Sequence, residues 1–191
     1  MLHSTYEKVI GLFREHQGYM SFAELRENKI TAPQMRELEE GGTLERIARG
    51  WYWCDAEGTG KPKNYRYVEL GLVLPEAVIC GPSACYLHGI LREEPETVTY
   101  LTGYESRRKV AFAFPTQKFY LDVKELQSEQ TLCQASEGYR YLALEEAVQD
   151  CIHRRNRIDA EVYGQVMEWC AAQEDQQMQR LMAYRKRLRD V

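Results

Sequence analysis

Side chains that can hydrogen-bond a nucleic acid are concentrated between residues 31 and 49. The planar guanidinium of Arg36 fits the edge of a guanine, and the carboxamide of Gln34 fits an adenine. Arg46 and Arg49 follow in a segment of strand-forming residues, where they can reach a phosphate or the minor groove. We predict that six residues of this stretch contact DNA: Thr31, Pro33, Gln34, Arg36, Arg46 and Arg49.

Each of the two base-reading side chains also has a local alternative role. The sequence TAPQ at residues 31–34 has the form of a capping box, in which Gln34 bonds the start of its own helix. Arg36 precedes Glu40 by one helical turn, which is the spacing of an ion pair. Glu37 and Glu40 would also repel phosphates. The sequence leaves both roles open for Gln34 and for Arg36.

Two short helices and a hairpin are predicted to position these side chains. The capping box SFAE at residues 21–24 begins the first helix. Met35 and Leu38 mark the buried face of the second helix, which the double glycine at 41–42 ends. Residues 46–53 then place strand-forming residues on both sides of an Arg-Gly pair, which predicts a hairpin with a tight loop.

A further helix is predicted upstream, where STYE at residues 4–7 forms another capping box. Four apolar residues follow at helical spacing: Tyr6, Val9, Ile10 and Phe13. Three helices followed by a hairpin are typical of a winged helix-turn-helix, so we predict such a domain at residues 1–54.

The polar segment DAEGTGKPK at residues 55–63 is predicted to be a linker to a second domain at 64–191. Strands are predicted at 77–80, 97–101, 110–114, 119–123 and 139–142. Helices are predicted after caps at Asn64, Ser83 and Asp159, at residues 144–155, and from Glu174. The predicted fold class is therefore α+β: an N-terminal winged helix-turn-helix followed by a mixed α/β domain with a helical C-terminus.

The sequence lacks the residue patterns that are typical of catalysis or metal binding. The four histidines lie at no metal-ligand spacing, and His88 in an apolar context is better explained as a hydrogen-bonded core residue. The chain contains no GxSxG, P-loop or Rossmann glycine pattern. We therefore expect a non-enzymatic protein without a metal or a cofactor.

Composition predicts a cytoplasmic protein that does not enter a membrane. No apolar run is long enough to span a bilayer, and the N-terminus lacks the apolar region of a signal peptide. The six cysteines form no CxxC pair, which favours free thiols in a reducing compartment.

The net charge is −4, and residues 1–54 hold seven Lys/Arg against eight Asp/Glu. DNA affinity must therefore come from a few well-placed arginines or from dimerisation.

Three segments, in this order, resemble the type IV abortive-infection antitoxins of the AbiEi family. They are GGTLERIARGWYW, PEAVICGPSACYLHGI and YRYLALEEAVQDCIHRRNRIDAEVY. The resemblance implies a winged helix that represses its own operon at inverted repeats in the promoter. It also implies an α/β domain that counteracts a nucleotidyltransferase-like toxin without forming a stable complex. By position, the implied DNA contacts fall at residues 31–37 and 46–49.

Two concentrations of basic residues near the C-terminus give a further candidate surface. We predict an antitoxin surface made of Arg154, Arg155, Arg157, Arg185, Lys186 and Arg187. Such a surface would contact the toxin's anionic target, a nucleotide or structured RNA. The alternative is that these side chains only complement helix C-termini and keep the surface solvated.

A second function remains open beside the autorepressor and antitoxin. Because the predicted winged helix is nearly neutral, it also suits an adaptor that binds another protein and has no operator of its own.

Overall fold

A computed structural model describes residues 3–106, 108–121, 132–135 and 137–173 of the chain. The fold is mixed α+β, and the described residues form seven α-helices and two β-sheets. The chain divides into two compact units. Unit 1 holds the described residues up to 65 together with 108–113, and unit 2 holds the described residues of 66–106 and those from 114 onward.

Unit 1 contains three helices and a small antiparallel sheet. Its elements are α1 (His3–Glu15), β1 (Tyr19–Ser21), α2 (Phe22–Glu27), α3 (Ala32–Glu40), β2 (Glu45–Ala48) and β3 (Trp51–Trp53). The strand order is β1-β3-β2, so the last strand lies between the other two. Its core is built from buried apolar residues of every element: Val9, Phe13, Met20, Leu25, Ile30, Met35, Leu38, Leu44, Tyr52 and Cys54.

The capping box, both short helices and the hairpin are confirmed in unit 1. Ser21 N donates to Glu24 Oε2 at 2.7 Å, and Glu24 N donates to Ser21 Oγ at 3.2 Å. The hairpin loop contains Gly50 with φ +82°, a backbone conformation that side chains with a Cβ rarely adopt.

Two features of unit 1 differ from the sequence prediction. Helix α1 already includes His3, so Ser4 lies inside its first turn and is not its N-cap. Strand β1 was not predicted, because its three residues are too short to show an alternating pattern. Its residues pair with β3 from Tyr19–Trp53 to Ser21–Trp51, which adds a third strand to the hairpin.

The predicted linker at residues 55–63 is attached to unit 1 by side-chain contacts. The carboxylate of Asp55 accepts from Gly60 N at 3.1 and 3.2 Å. Lys61 Nζ lies 2.6 Å from Glu45 Oε1 and 5.1 Å from the ring centroids of both Trp53 and Tyr65. This segment is therefore an ordered loop that packs on the β2–β3 hairpin.

Unit 2 is built around a five-stranded mixed sheet. Its elements are α4 (Tyr65–Val73), β4 (Val78–Ile79), α5 (Gly81–Leu87), β5 (Val98–Gly103), β6 (Thr116–Leu121), β7 (Leu132–Gln134), β8 (Arg140–Leu142), α6 (Leu144–His153), a 3-10 helix (Arg155–Arg157) and α7 (Ala160–Ala171). The strand order is β6-β5-β4-β8-β7. Pairs β5/β6 and β4/β8 are parallel, whereas β4/β5 and β7/β8 are antiparallel.

The predicted strand at residues 110–114 is wrong, and the strand β6 begins after it. Pro115 has no N–H to donate to a ladder, and only its carbonyl joins the sheet, accepting from Val98 N at 2.9 Å. The pairing with β5 therefore starts at Thr116 and continues to Leu121.

Two helix starts show how proline and aspartate act as signals. Helix α5 begins at Gly81 with Pro82 in its first turn, so Ser83 is not the cap that the sequence predicts. Ser83 Oγ is buried instead and accepts from Thr99 N at 2.9 Å. The cap at Asp159 is confirmed, since its Oδ1 accepts from Glu161 N at 2.8 Å. The helix predicted from Glu174 lies outside the described residues.

Candidate nucleic-acid interface

A groove of about 790 Å³ lies between α3 and the β2–β3 hairpin of unit 1. Three arginines line it: Arg36, Arg46 and Arg49. The carboxylates of Glu39 and Glu40 line it as well, and its apolar wall includes Phe22, Met35 and Tyr52. The groove therefore combines three cations, two anions and an apolar surface.

Helix α3 presents Arg36 because its neighbours along the helix are fixed in the core. Met35 and Leu38 are buried at 2% and 3% exposure, which orients the opposite face outward. Arg36 and Glu40, at i and i+4, are exposed on that outward face, and Glu39, at i+3, is half-buried beside it. Glu39 was missed as a groove residue, although the same helical spacing was visible in the sequence.

A β-bulge in β2 positions the two hairpin arginines. Arg46 pairs with Tyr52 and Ala48 with Trp51, so Ile47 is the extra residue between them. The bulge places Arg46 and Arg49 on the exposed side while Ile47 is buried. The loop itself is tied to α2, because Phe22 N donates to Gly50 O at 2.8 Å. Arg46 and Arg49 thus extend from a hairpin that is hydrogen-bonded to α2.

The three arginines differ in what they contact. Arg36 Nε donates to Glu40 Oε1 at 2.8 Å, with the two side chains 80% and 64% exposed. An exposed pair of this spacing contributes about 0.3–0.5 kcal/mol, so the guanidinium exchanges partners easily. Among the described residues, neither Arg46 nor Arg49 has an ion-pair partner. Both are free to neutralise an anion.

The other three predicted DNA contacts lie at the start of α3 and do not line the groove. Gln34 Oε1 accepts from Thr31 N at 2.8 Å and from Thr31 Oγ1 at 2.9 Å. The carboxamide oxygen of Gln34 is therefore used by the helix start, as the capping alternative expects. Thr31 and Pro33 are exposed in the same turn. Of the six predicted residues, the structure brings together Arg36, Arg46 and Arg49.

The described residues of the predicted antitoxin surface separate into a half-buried part and an exposed part. Arg154 Nε donates to Asp150 Oδ1 at 2.7 Å, and its guanidinium lies 4.0 Å from the centre of the Phe119 ring. With 19% of its side chain exposed, Arg154 packs within unit 2. Arg155 and Arg157 are exposed on the 3-10 helix. Arg185, Lys186 and Arg187 lie outside the described residues.

Histidine and cysteine in unit 2 are arranged for structure. His88 Nε2 lies 2.8 Å from Leu142 O, and its half-buried ring packs against Tyr141, so the predicted hydrogen bond of this histidine is found. Cys85 Sγ lies 3.5 Å from Cys151 Sγ. The hydrogen bond with Cys85, followed by burial, raises the pKa of the Cys151 thiol far above its usual range. A thiol in this state is a poor nucleophile.

The structure also shows the surroundings of other thiols and of potential metal ligands in the part of the chain that it covers. Five cysteines are buried and free, as predicted: Cys54, Cys80, Cys85, Cys151 and Cys170. Burial, with a smaller effect of Asp55, raises the pKa of Cys54 to about 11. Within the described ranges, no three His, Cys, Asp or Glu side chains are grouped to hold a metal ion. No helix in those ranges is both long and apolar enough to cross a bilayer.

Comparison with known proteins yields a fold relationship. No family model matches the chain, and no curated protein sequence matches it either. The fold is similar to that in the crystal structure of the RV2827C protein from Mycobacterium tuberculosis, with a TM-score of 0.68 at 15% sequence identity. The match covers 96% of this chain and 72% of that one. At this identity the similarity concerns the fold alone.

Proposed function

We propose that unit 1 is a winged helix-turn-helix that binds duplex DNA, with α3 as recognition helix and the β2–β3 hairpin as wing. The observation that carries this proposal is the convergence of Arg36, Arg46 and Arg49 on one groove. Helix α3 has nine residues, and the major groove, about 12 Å wide, admits an α-helix with its side chains, which is about 10–12 Å in diameter. Arg36 then addresses base edges, while the wing arginines contact phosphates.

The number of arginines sets how strongly DNA binding responds to salt. Each phosphate that a protein neutralises adds about 0.9 to the slope of log affinity against log salt concentration. Two wing contacts give a slope of about 1.8 for one copy of the chain, and a dimer doubles it. Such binding is weak for a single unit, which is why an operator with inverted repeats suits this protein.

The test uses the full-length chain and a fluorescent duplex taken from immediately upstream of its reading frame. Arg46→Ala or Arg49→Ala should weaken binding to this duplex and to a scrambled one equally, and each should lower the salt slope by about 0.9. Arg36→Ala should cost about 1–3 kcal/mol on the upstream duplex and little on the scrambled one. Lys29→Ala, which removes an exposed charge away from the groove, is the control.

The wider role we propose is that of a transcriptional autorepressor and antitoxin of a type IV toxin–antitoxin system. Support comes from the order of the three resembling sequence segments and from two separate units. In this role unit 2 counteracts a nucleotidyltransferase-like toxin without a stable complex, through contact with a nucleotide or structured RNA. The full chain carrying Arg36→Ala, Arg46→Ala and Arg49→Ala should lose promoter repression but still rescue cells from the toxin encoded beside it.

A charge reversal tests the proposed antitoxin surface. Arg155→Glu with Arg157→Glu should abolish rescue without loss of folding, since both side chains are exposed. Arg154 is left unchanged because it packs against Asp150 and Phe119. Rescue that survives the reversal would remove this surface from the proposal.

An adaptor function is favoured by a different observation. The groove contains two carboxylates and an apolar wall beside its three arginines, a mixture that also suits a protein partner. Failure of the wild-type chain to bind either duplex, even at low salt, would favour the adaptor over the DNA-binding protein.

A further inference from the structure

Glu40 is the groove carboxylate whose contact bears directly on base reading. Its Oε1 lies 2.8 Å from Arg36 Nε, the side chain that we assign to a base edge. Both groups lie on the outward face of α3, and both line the groove that Arg46 and Arg49 also line. DNA that approaches α3 therefore competes with a carboxylate for the guanidinium of Arg36.

The strength of the competing contacts decides when this pair opens. An exposed helical ion pair favours the paired state by about twofold. A bidentate contact to guanine discriminates by about 5- to 150-fold, because two parallel hydrogen bonds form to O6 and N7. Guanine therefore displaces the carboxylate easily. A single phosphate contact gives Arg36 only another exposed anion, so it offers little gain over Glu40.

Glu40 also acts on DNA through its own charge. After Arg36 leaves, its carboxylate is unpaired within the groove, where it repels phosphates at distances below the Debye length of about 8 Å. Glu39 adds a second negative charge to the same lining. These charges lower the affinity for every duplex. Only a sequence that supplies the guanine contact recovers the loss.

We propose that Glu40 is a specificity-determining residue of unit 1, which holds Arg36 in an ion pair until a guanine replaces it and so suppresses binding to other sequences. The inference rests on the proposed DNA binding. It assigns to Glu40 a role in distinguishing one DNA sequence from another, where its negative charge alone would only weaken DNA binding. Replacing Glu40 by a neutral residue should raise the affinity for DNA of any sequence and lower the preference for the upstream duplex.

The experiment compares four full-length proteins on two fluorescent duplexes: the one upstream of the reading frame, and a scrambled duplex of equal composition. The proteins are the wild type, Glu40→Gln, Arg36→Ala, and the double variant. Glu15→Gln serves as the control for a lost negative charge, because Glu15 is exposed on α1 and does not line the groove. Thermal unfolding of each variant checks that the fold is unchanged.

We expect Glu40→Gln to raise affinity for the scrambled duplex about two- to fivefold, more than Glu15→Gln does, and to lower the ratio between the two duplexes. The effect of Glu40→Gln on that ratio should vanish when Arg36 is replaced by alanine, since Glu40 discriminates between duplexes through that side chain, whereas its direct repulsion of phosphates acts on both duplexes alike. Equal effects of the two glutamine variants would overturn the inference, and so would a change in the ratio that persists without Arg36. Both leave the DNA-binding proposal standing if the wild type prefers the upstream duplex. If the wild type binds neither duplex, both proposals fail together.

Discussion

At the scale of single residues, the arginines of this chain divide according to what surrounds them. Arg154 is paired with Asp150 at 2.7 Å and stacked on Phe119, with 19% and 12% of the two paired side chains exposed. Its immediate neighbour Arg155 is exposed. The sequence predicted the same exposed surface for both arginines, because a run of basic residues does not reveal which side chain packs inward.

Arg154→Ala should therefore destabilise unit 2, whereas Arg155→Ala should not. Removing the guanidinium leaves the largely buried Asp150 carboxylate without its partner and exposes one face of Phe119. We expect a loss of about 1–3 kcal/mol in the free energy of unfolding, below the value for a fully buried pair because the pair is partly exposed. Arg155→Ala should change it by less than about 0.5 kcal/mol. Urea unfolding followed by circular dichroism measures both, and equal values for the two variants would contradict the assignment.

At the scale of elements, the sequence predicted well where a signal is local. The capping box at Ser21 and Glu24, the cap at Asp159 and the hairpin loop at Gly50 each involve residues close along the chain, and each is found as predicted. Strand β1 and the placement of β6 depend on partners far away in sequence. No local pattern specifies that Tyr19 pairs with Trp53, or that β6 pairs with β5, although Pro115 is a local signal for where β6 can begin.

The glycine in α4 illustrates a second kind of information that the sequence lacks. A Cβ on Gly71 would lie 2.9 Å from Tyr139 Cβ and 3.0 Å from Tyr139 Cα, so the helix and the start of β8 approach too closely for a side chain. By contrast, a Cβ on Gly164 in α7 would meet nothing within 4 Å. Helix propensity favours alanine at both positions by about 1 kcal/mol.

Gly71→Ala should destabilise the protein and Gly164→Ala should stabilise it. For Gly71 the added Cβ meets the Cβ and the backbone Cα of Tyr139, neither of which can move aside without the backbone, and we expect a net loss of about 1–3 kcal/mol. For Gly164 we expect a gain of up to about 1 kcal/mol. Thermal unfolding of both variants under one condition gives the comparison. A stabilised Gly71→Ala variant would mean that α4 lies farther from Tyr139 than described.

At the scale of the whole molecule, the net charge of the N-terminal segment was a poor guide to the candidate site. The positions of individual residues along α3 and the hairpin were a better one. The near-neutral charge of residues 1–54 argues against a nucleic-acid surface, yet three of the seven basic side chains there line one groove. Charge counting averages over a surface, whereas the helical spacing of α3 and the bulge of β2 decide which charges meet. The bulge at Ile47 could not be read from the sequence, because it depends on the pairing of two strands.

The segment between residues 55 and 63 tests whether the polar stretch after the hairpin is a free linker or a loop fastened to the hairpin. It reads as a linker, being polar and rich in glycine, but the Lys61 ammonium is held by Glu45 at 2.6 Å and by the faces of Trp53 and Tyr65. Each cation–π contact contributes about 0.5–1 kcal/mol. Only 14% of the Lys61 side chain is exposed, so these contacts are partly shielded from water.

Lys61→Ala should make this segment a substrate for a glutamate-specific protease at the exposed Glu57. Loss of the ammonium removes its ion pair and both aromatic contacts, so the loop leaves the hairpin more often and fits a protease cleft. We expect cleavage at Glu57 to accelerate about 5- to 30-fold, the factor that corresponds to about 1–2 kcal/mol of lost local stability. Lys63→Ala is the matched control, because Lys63 is exposed two residues away. Mass spectrometry of the fragments identifies the site, and equal rates for the two variants would show that Lys61 does not fasten the segment. A glutamate-specific enzyme is chosen because trypsin would not treat the two variants alike: Lys63→Ala removes a trypsin site, whereas Lys61 precedes Pro62 and is not one.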